Sequence, residues 1–353
     1  MLDASIEFSD SARLVSNPRV SIIMLTYNHE QYLAEAIEGV IRQECGFPIE
    51  LLIGEDCSKD KTRAIALSYQ ERLPEIIRII TSENNVGADR NHDRLLAAAR
   101  GEYIAYCEGD DFWHRKDKLS KQVALLEADS SLSFVASNYR VVASNGAVLD
   151  EMAPVRPACA EGALSYDDIQ RQDIIGTMTV CARRRLVQVA MSELSCSNFR
   201  GFLMGDLQLW LQLSQYGNFV YDPERLASYR HSHNSATRKP DSLHKRRFGL
   251  DACEVRYRFL EKYPMKAGAE ETWVKQVQTA RSMLLNAAVL GAAEVAGRQI
   301  QRLESLRARR RFGDAMLSFI ASSPISIGCR REVVRVLEMC LAWARHVRGL
   351  AHR

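Results

Sequence analysis

Between residues 20 and 142, short apolar runs alternate with stretches whose apolar residues recur at helical spacing, and few architectures accept that order. Residues 20–25, VSIIML, read as a continuously apolar strand. After it Asn28 can cap a helix with Gln31 three residues on, and Leu33, Ala36, Ile37, Val40 and Ile41 then fall on one face. The alternation repeats with strands at 49–53, 76–80 and 102–107 and helices at 60–72 and 90–100. Gly101 reads as the stop of the last of these helices, and Leu119, Val123 and Leu126 mark one more. A β-α-β-α-β series predicts an α/β fold, a mostly parallel sheet with helices on both faces.

In such sheets ligands bind beyond the carboxyl ends of the strands. Three polar stretches sit there: "TYN" after the first strand, "EDCSKD" after the second and "CEGDD" after the fourth. The last is the most demanding, because Glu108, Asp110 and Asp111 place three carboxylates within four positions behind an apolar run. Carboxylates this close raise one another's pKa unless a cation or a set of donors compensates. Glu108 and Asp110 are hard oxygen ligands that suit Mg²⁺ or Mn²⁺. The simpler alternative is a solvated turn whose acids cap the following helix.

The 353 residues exceed one compact domain, with 46% hydrophobic and 26% charged residues in the ordinary globular range. We expect an N-terminal extension at 1–19, a main domain at 20–238 and an all-helical, basic C-terminal region at 239–353. Residues 144–200 read as irregular apart from a strand-like 176–181, and "RHSHNSATRKPDS" reads as a linker. The first residues lack an apolar signal core, and the most apolar later stretch, 282–297, is broken and too short to span a bilayer. Nine cysteines without paired spacing are expected to be reduced, so the expected location is cytoplasmic.

Residues 241–353 hold 21 Lys and Arg against 11 Asp and Glu, leaving 26 against 33 in the rest. Within that tail Val333, Leu337, Leu341 and Ala344 form an apolar stripe opposed by Arg331, Arg335, Arg345 and Arg348. Such a helix can lie on an anionic membrane at the inner face of the cell. More commonly it docks on its own protein.

The blocks "VSIIMLTYNHEQYLAEAIEGVIRQ", "ELLIGEDCSKDKT", "NNVGADRN", "ARGEYIAYCEGDDFWHRKDKL" and "GDLQLWLQLSQYG", in this order, resemble the family 2 inverting nucleotide-sugar glycosyltransferases of GT-A fold. The resemblance runs from about Val20 to His233 and leaves the tail outside. It implies a Rossmann-like GT-A sheet, a nucleoside diphosphate sugar donor, a glycan or lipid-linked acceptor and a divalent metal, with no nucleic-acid partner. Thr26 and Tyr27 would border the base, and Asp56 would accept from the base or ribose. Glu108 and Asp110 stand where the family has its DxD, for ribose and metal. Asp206 stands where it has the catalytic base. His231 or His233, after Tyr229-Arg230, would reach the metal or diphosphate, with Asn28, Asp111 and Thr179 as further candidates. Thr179 belongs to "GTMT", which resembles a segment near the acceptor.

The chain departs from the family pattern at Glu108, at Leu25 where proline is frequent, and in "EDCS" for "DDGS". Read without the family, Asp206 is a good N-cap, a histidine after Tyr-Arg is a surface residue, and Trp113 and Trp210 are packing residues. A nucleotidyltransferase would also use an acidic metal site, but no Gly- and Lys-rich phosphate loop follows the first strand. The rival from another class is a non-catalytic nucleotide- or glycan-binding protein acting through its basic tail.

Overall fold

The computed structural model describes residues 5–150, 163–171, 175–197, 202, 204–231, 242–308, 312–323, 326 and 329–334. The chain divides into two compact units, Met1–Arg200 with Gln208–Ser232, and Gly201–Leu207 with His233–Arg353.

The first unit is built on strands β1 (Ile6–Phe8), β2 (Val20–Thr26), β3 (Ile49–Glu55), β4 (Ile77–Thr81), β5 (Tyr103–Tyr106), β6 (Phe112–Trp113), β7 (Leu132–Ala143), β8 (Val148–Asp150), β9 (Ala163–Leu164), β10 (Cys181–Arg183) and β11 (Asn218–His231). Helices α1 (Leu33–Ile41), α2 (Thr62–Arg72), α3 (Ala88–Ala98), α4 (Lys118–Ala128), α5 (Tyr166–Arg171), α6 (Arg184–Cys196) and α7 (Gly205–Leu213) alternate with them, α7 crossing the division. The sheet order is β1-β4-β3-β2-β5-β10-β7-β11-β6, with β8 on β7 and β9 on β11. Strands β4, β3, β2 and β5 run parallel; β10 is antiparallel to both β5 and β7, and β7 runs parallel to β11.

β3 is buried along its whole length and β2 everywhere but Leu25, which is why they read as continuous apolar runs. Two charges interrupt that rule on β3. Glu50 accepts from the Ser21 hydroxyl at 2.6 Å, the Arg100 backbone N–H at 2.7 Å and Nε at 2.8 Å, and Arg78 Nη1 at 3.1 Å. Arg78 also reaches Glu7 on the exposed edge strand β1 at 2.8 Å, so one ion network fastens the sheet edge to its centre. Glu55 accepts from Ser58, Arg63 and Thr81.

Four sequence expectations change. Asn28 does not cap α1, which begins at Leu33; Asn28 has a left-handed φ of 57° and bonds across to the next loop. Gly101 is not a helix stop, since α3 ends at Ala98; a Cβ there would lie 2.5 Å from the Ser21 backbone nitrogen, so glycine permits the close approach. The segment read as a strand at 176–181 is a 3-10 turn, Thr177–Thr179, with β10 only beginning at Cys181. Residues read as irregular contain α6, whose Val187, Ala190 and Leu194 are buried on one face.

The second unit contains α8 (Ser242–Lys262), α9 (Ala269–Leu290), α10 (Ala293–Ser305) and α11 (Phe312–Ser322) around a core that includes Tyr257, Met283, Leu284, Leu303 and Ile320. Arg302 spans Glu254 with bonds of 2.6 and 3.0 Å and lies over the Tyr257 ring. The tail stripe lies outside the described residues beyond Val334. Among the described residues no helix is long and apolar enough to cross a membrane, and the seven described cysteines are unpaired.

Candidate active site

Three adjacent parallel strands, β3, β2 and β5, end side by side, and the polar stretches read from the sequence follow them. The backbone ties their ends together, with Asp56 N–H on the Thr26 carbonyl at 3.1 Å and Gly109 N–H on the Leu25 carbonyl at 2.9 Å. Thr26 is 2% exposed and its Oγ1 makes no hydrogen bond, while Tyr27 beside it is 40% exposed. Asn28 accepts from Lys59 N–H at 2.9 Å and donates its own N–H to Ser58 Oγ at 3.0 Å. Asparagine tolerates the left-handed backbone this needs.

Asp56 is buried and both its oxygens are engaged, Oδ1 by Val86 N–H at 2.8 Å and Oδ2 by Gly87 N–H at 3.0 Å. Asn85 donates to the Asp56 carbonyl at 2.9 Å, so the "NNVG" block is clamped onto the end of β3. Each carboxylate oxygen still has acceptor capacity.

The acidic turn closes with Asp111 N–H on the Glu108 carbonyl at 3.1 Å. Its three acids have separate surroundings. Asp111 is buried and accepts from Arg230 N–H at 2.7 Å; burial first, then the charges of Asp110 and Glu108, push its carboxyl well above the usual range. Glu108 is half-buried. Asp110 is partly exposed and its carboxylate accepts no hydrogen bond from a described residue; the His29 imidazole Nε2 lies 4.0 Å from it.

Beneath the turn lies a buried positive charge that the sequence reading passed over. The Arg230 guanidinium donates to the carbonyls of Asp110 at 3.0 Å, Ala143 at 3.3 Å and Ser144 at 3.1 Å, and to the Glu35 carboxylate. It also lies over the rings of Tyr32 and Phe112, at 4.8 and 5.1 Å. Arg230 therefore supplies part of the compensation that the carboxylate cluster demands. The only signal in the sequence was the Tyr-Arg pair that served to locate the histidines.

Gly109 is fixed by its neighbours. A Cβ there would lie 2.7 Å from Thr26 Oγ1 and 2.9 Å from His29 Nδ1, both closer than real contacts allow. Gly109→Ala should therefore cost about 1–3 kcal/mol through overpacking. Urea denaturation checks this, and an unchanged midpoint would mean that both side chains move aside freely.

His231 ends β11 opposite Ala143, half-buried with its ring edge-on to Tyr229 at 5.9 Å; His233 lies outside the described residues. The Thr179 hydroxyl is turned inward, donating to the Gly176 carbonyl at 2.6 Å. Trp113 donates to the Met178 carbonyl at 2.8 Å, and Trp210 is buried against Tyr106 and Phe134, so both are packing residues. Asp206 lies in the first turn of α7, within the second unit, and its Oδ1 accepts from Leu207 N–H at 2.8 Å. Among the described residues no three His, Cys, Asp or Glu side chains stand together as a metal cluster.

A mostly parallel sheet with an acidic turn beyond the ends of its central strands is an α/β architecture with a candidate ligand site, and comparison with known proteins gives its family. The family model described as Glycosyl transferase family 2 matches residues 21–185. TuaG of Bacillus subtilis, named for teichuronic acid biosynthesis as a glycosyltransferase, is 34% identical over 220 residues, covering 62% of this chain and 81% of that one. The chain belongs to glycosyl transferase family 2. An uncharacterized protein of Mycobacterium tuberculosis is 34% identical over 215 residues, and this chain covers 59% of its length with 61% of its own. The solved mannosyltransferase PcManGT from Pyrobaculum calidifontis, in complex with GDP-Man and Mn²⁺, shares the fold with a TM-score of 0.51 at 17% identity, over 86% of this chain and 79% of that one.

Proposed function

We propose that the chain is a metal-dependent inverting glycosyltransferase that moves a sugar from a nucleoside diphosphate sugar to a hydroxyl acceptor. The setting we assign is bacterial surface polysaccharide or glycoconjugate assembly, with a glycan or lipid-linked acceptor. The observation that carries this reading is the acidic turn at 108–111, set beside the ends of β2 and β3 in a family 2 chain. The likeness to TuaG supports the polysaccharide setting.

The residues present fit a divalent ion. The Asp110 carboxylate is partly exposed and unbonded to described residues, and Glu108 adds a second hard oxygen donor. Magnesium-type sites take one or two carboxylates and fill the other positions with substrate phosphates and water, so two protein acids suffice. When bound, the ion neutralises charge on the departing diphosphate. Thr26 and Tyr27 border the base, and Asp56 offers its spare lone pairs to base or ribose. Asp206 takes the proton of the acceptor hydroxyl as general base. His231 or His233 would stand near the metal or diphosphate, and Asn28, Asp111 and Thr179 remain further candidates, each also bonded within its own surroundings. Contact with an anionic membrane through the basic C-terminal region belongs to the same proposal.

The test is release of free nucleoside diphosphate from UDP- and GDP-sugars with Mn²⁺ and acceptor extracts. No release with any donor would favour the non-catalytic binding reading, and release of inorganic diphosphate would favour a nucleotidyltransferase. Asp110→Ala should weaken nucleotide binding in Mn²⁺ by tenfold or more while leaving the fold intact, since it removes one member of a repelling cluster. Equal affinity by calorimetry would remove Asp110 from the metal site.

A further inference from the structure

His29 lies three residues beyond β2, outside every assignment made so far. Its backbone N–H is fixed by Thr62 Oγ1 at 2.8 Å, which leaves the imidazole free of any role in holding the loop. Its Nδ1 is buried without a hydrogen-bond partner, and Thr26 Oγ1, in a residue 2% exposed, is in the same condition. Both atoms lie within 2.9 Å of the point a Cβ on Gly109 would occupy, and His29 Nε2 faces the Asp110 carboxylate. Unpartnered buried polar atoms cost about 1–3 kcal/mol each, so two of them beside an unbonded carboxylate mark a place that a ligand completes.

We infer that His29 supplies an imidazole nitrogen to the divalent cation held by Asp110, an assignment that rests on the donor-site reading above. The His29 Nε2 to Asp110 Oδ2 separation of 4.0 Å is too long for a hydrogen bond. Atoms each about 2.1 Å from one octahedral ion lie roughly 3.0 Å apart when adjacent and about 4.2 Å apart when opposite, and the observed spacing falls in that span. A metal-bound imidazole donates its other N–H to a nearby acceptor; Thr26 Oγ1, which does not bond Nδ1 in this structure, would take that role once the ring is held by the ion. A mixed nitrogen and oxygen donor set suits Mn²⁺ better than Mg²⁺, which prefers oxygen alone.

The experiment uses the full chain with MnCl₂ and UDP, and GDP in parallel, read by calorimetry and by pulsed electron paramagnetic resonance of the bound Mn²⁺. Wild type should show modulation from a coordinated imidazole nitrogen. His29→Gln should lose the share of that modulation owed to its own imidazole, with the thermal midpoint unchanged. His29→Gln should also weaken Mn²⁺ by at least tenfold and weaken Mg²⁺ less. Modulation undiminished in His29→Gln overturns the assignment, as does an equal loss of nucleotide affinity with and without metal, which would put the imidazole on phosphate instead. If wild type binds neither Mn²⁺ nor nucleotide, the donor-site reading itself falls, a result distinct from loss in the variant alone.

Discussion

Asp206→Asn should keep donor binding and lose about 10²–10⁴ in transfer rate, the span a positioned general base contributes. The side chain has two separable tasks. One is local: its Oδ1 accepts the Leu207 N–H at the head of α7, which an asparagine oxygen does equally well. The other is the proposed deprotonation of the acceptor, which an amide cannot perform. Calorimetry with the donor nucleotide and a rate assay on the same sample therefore separate the two. Near-normal turnover by a folded variant would leave Asp206 with only its local place in the first turn of α7.

The second large effect is on stability. Glu50→Ala should cost about 3–5 kcal/mol, since it leaves the buried Arg78 and the Arg100 N–H without the carboxylate that binds them. Burial raises the Glu50 pKa, but Ser21 and Arg100 as donors and the Arg100 charge outweigh it, so the carboxyl titrates below its usual 4.5. A depressed folded value means that the contribution is complete above about pH 4.5 and fades as pH falls through the folded pKa. Denaturant unfolding at neutral pH and near pH 3.5 should show the gap between wild type and variant narrowing. Glu50→Gln keeps the shape and removes the charge, and a gap independent of pH in that variant would refute the ionic account.

The parallel core was legible because burial on both faces forces continuous apolar runs, and "VSIIML" and the stretch at 49–53 have no other reading in that order. The acidic turn was legible because clustered charge behind such a run is costly. What stayed hidden depends on distant partners. Glu50 sits in an apolar run and looks like an error until Arg78 and Arg100 are beside it. Arg230 is one cation in an exposed-looking strand, and its worth comes from carbonyls and acids up to 195 residues away. Asn28 has the composition of a cap, but the loop after β3 competes for its side chain and wins. The turn at Thr177–Thr179 forms because the Thr179 hydroxyl bonds the Gly176 carbonyl, a local option that propensity for extended chain does not register.

The bond from Arg230 to Asp111 joins residues 119 apart. During synthesis the acidic turn leaves the ribosome well before its buried cation, so for that interval the nascent sheet carries its carboxylates without internal compensation. The strands β2 to β5 can pair early through short crossovers, yet β11 must arrive before the turn is pinned. The acidic turn is thus pinned only once β11 has paired, and a chain released before β11 would lack the Arg230 bonds to Asp110 and Asp111.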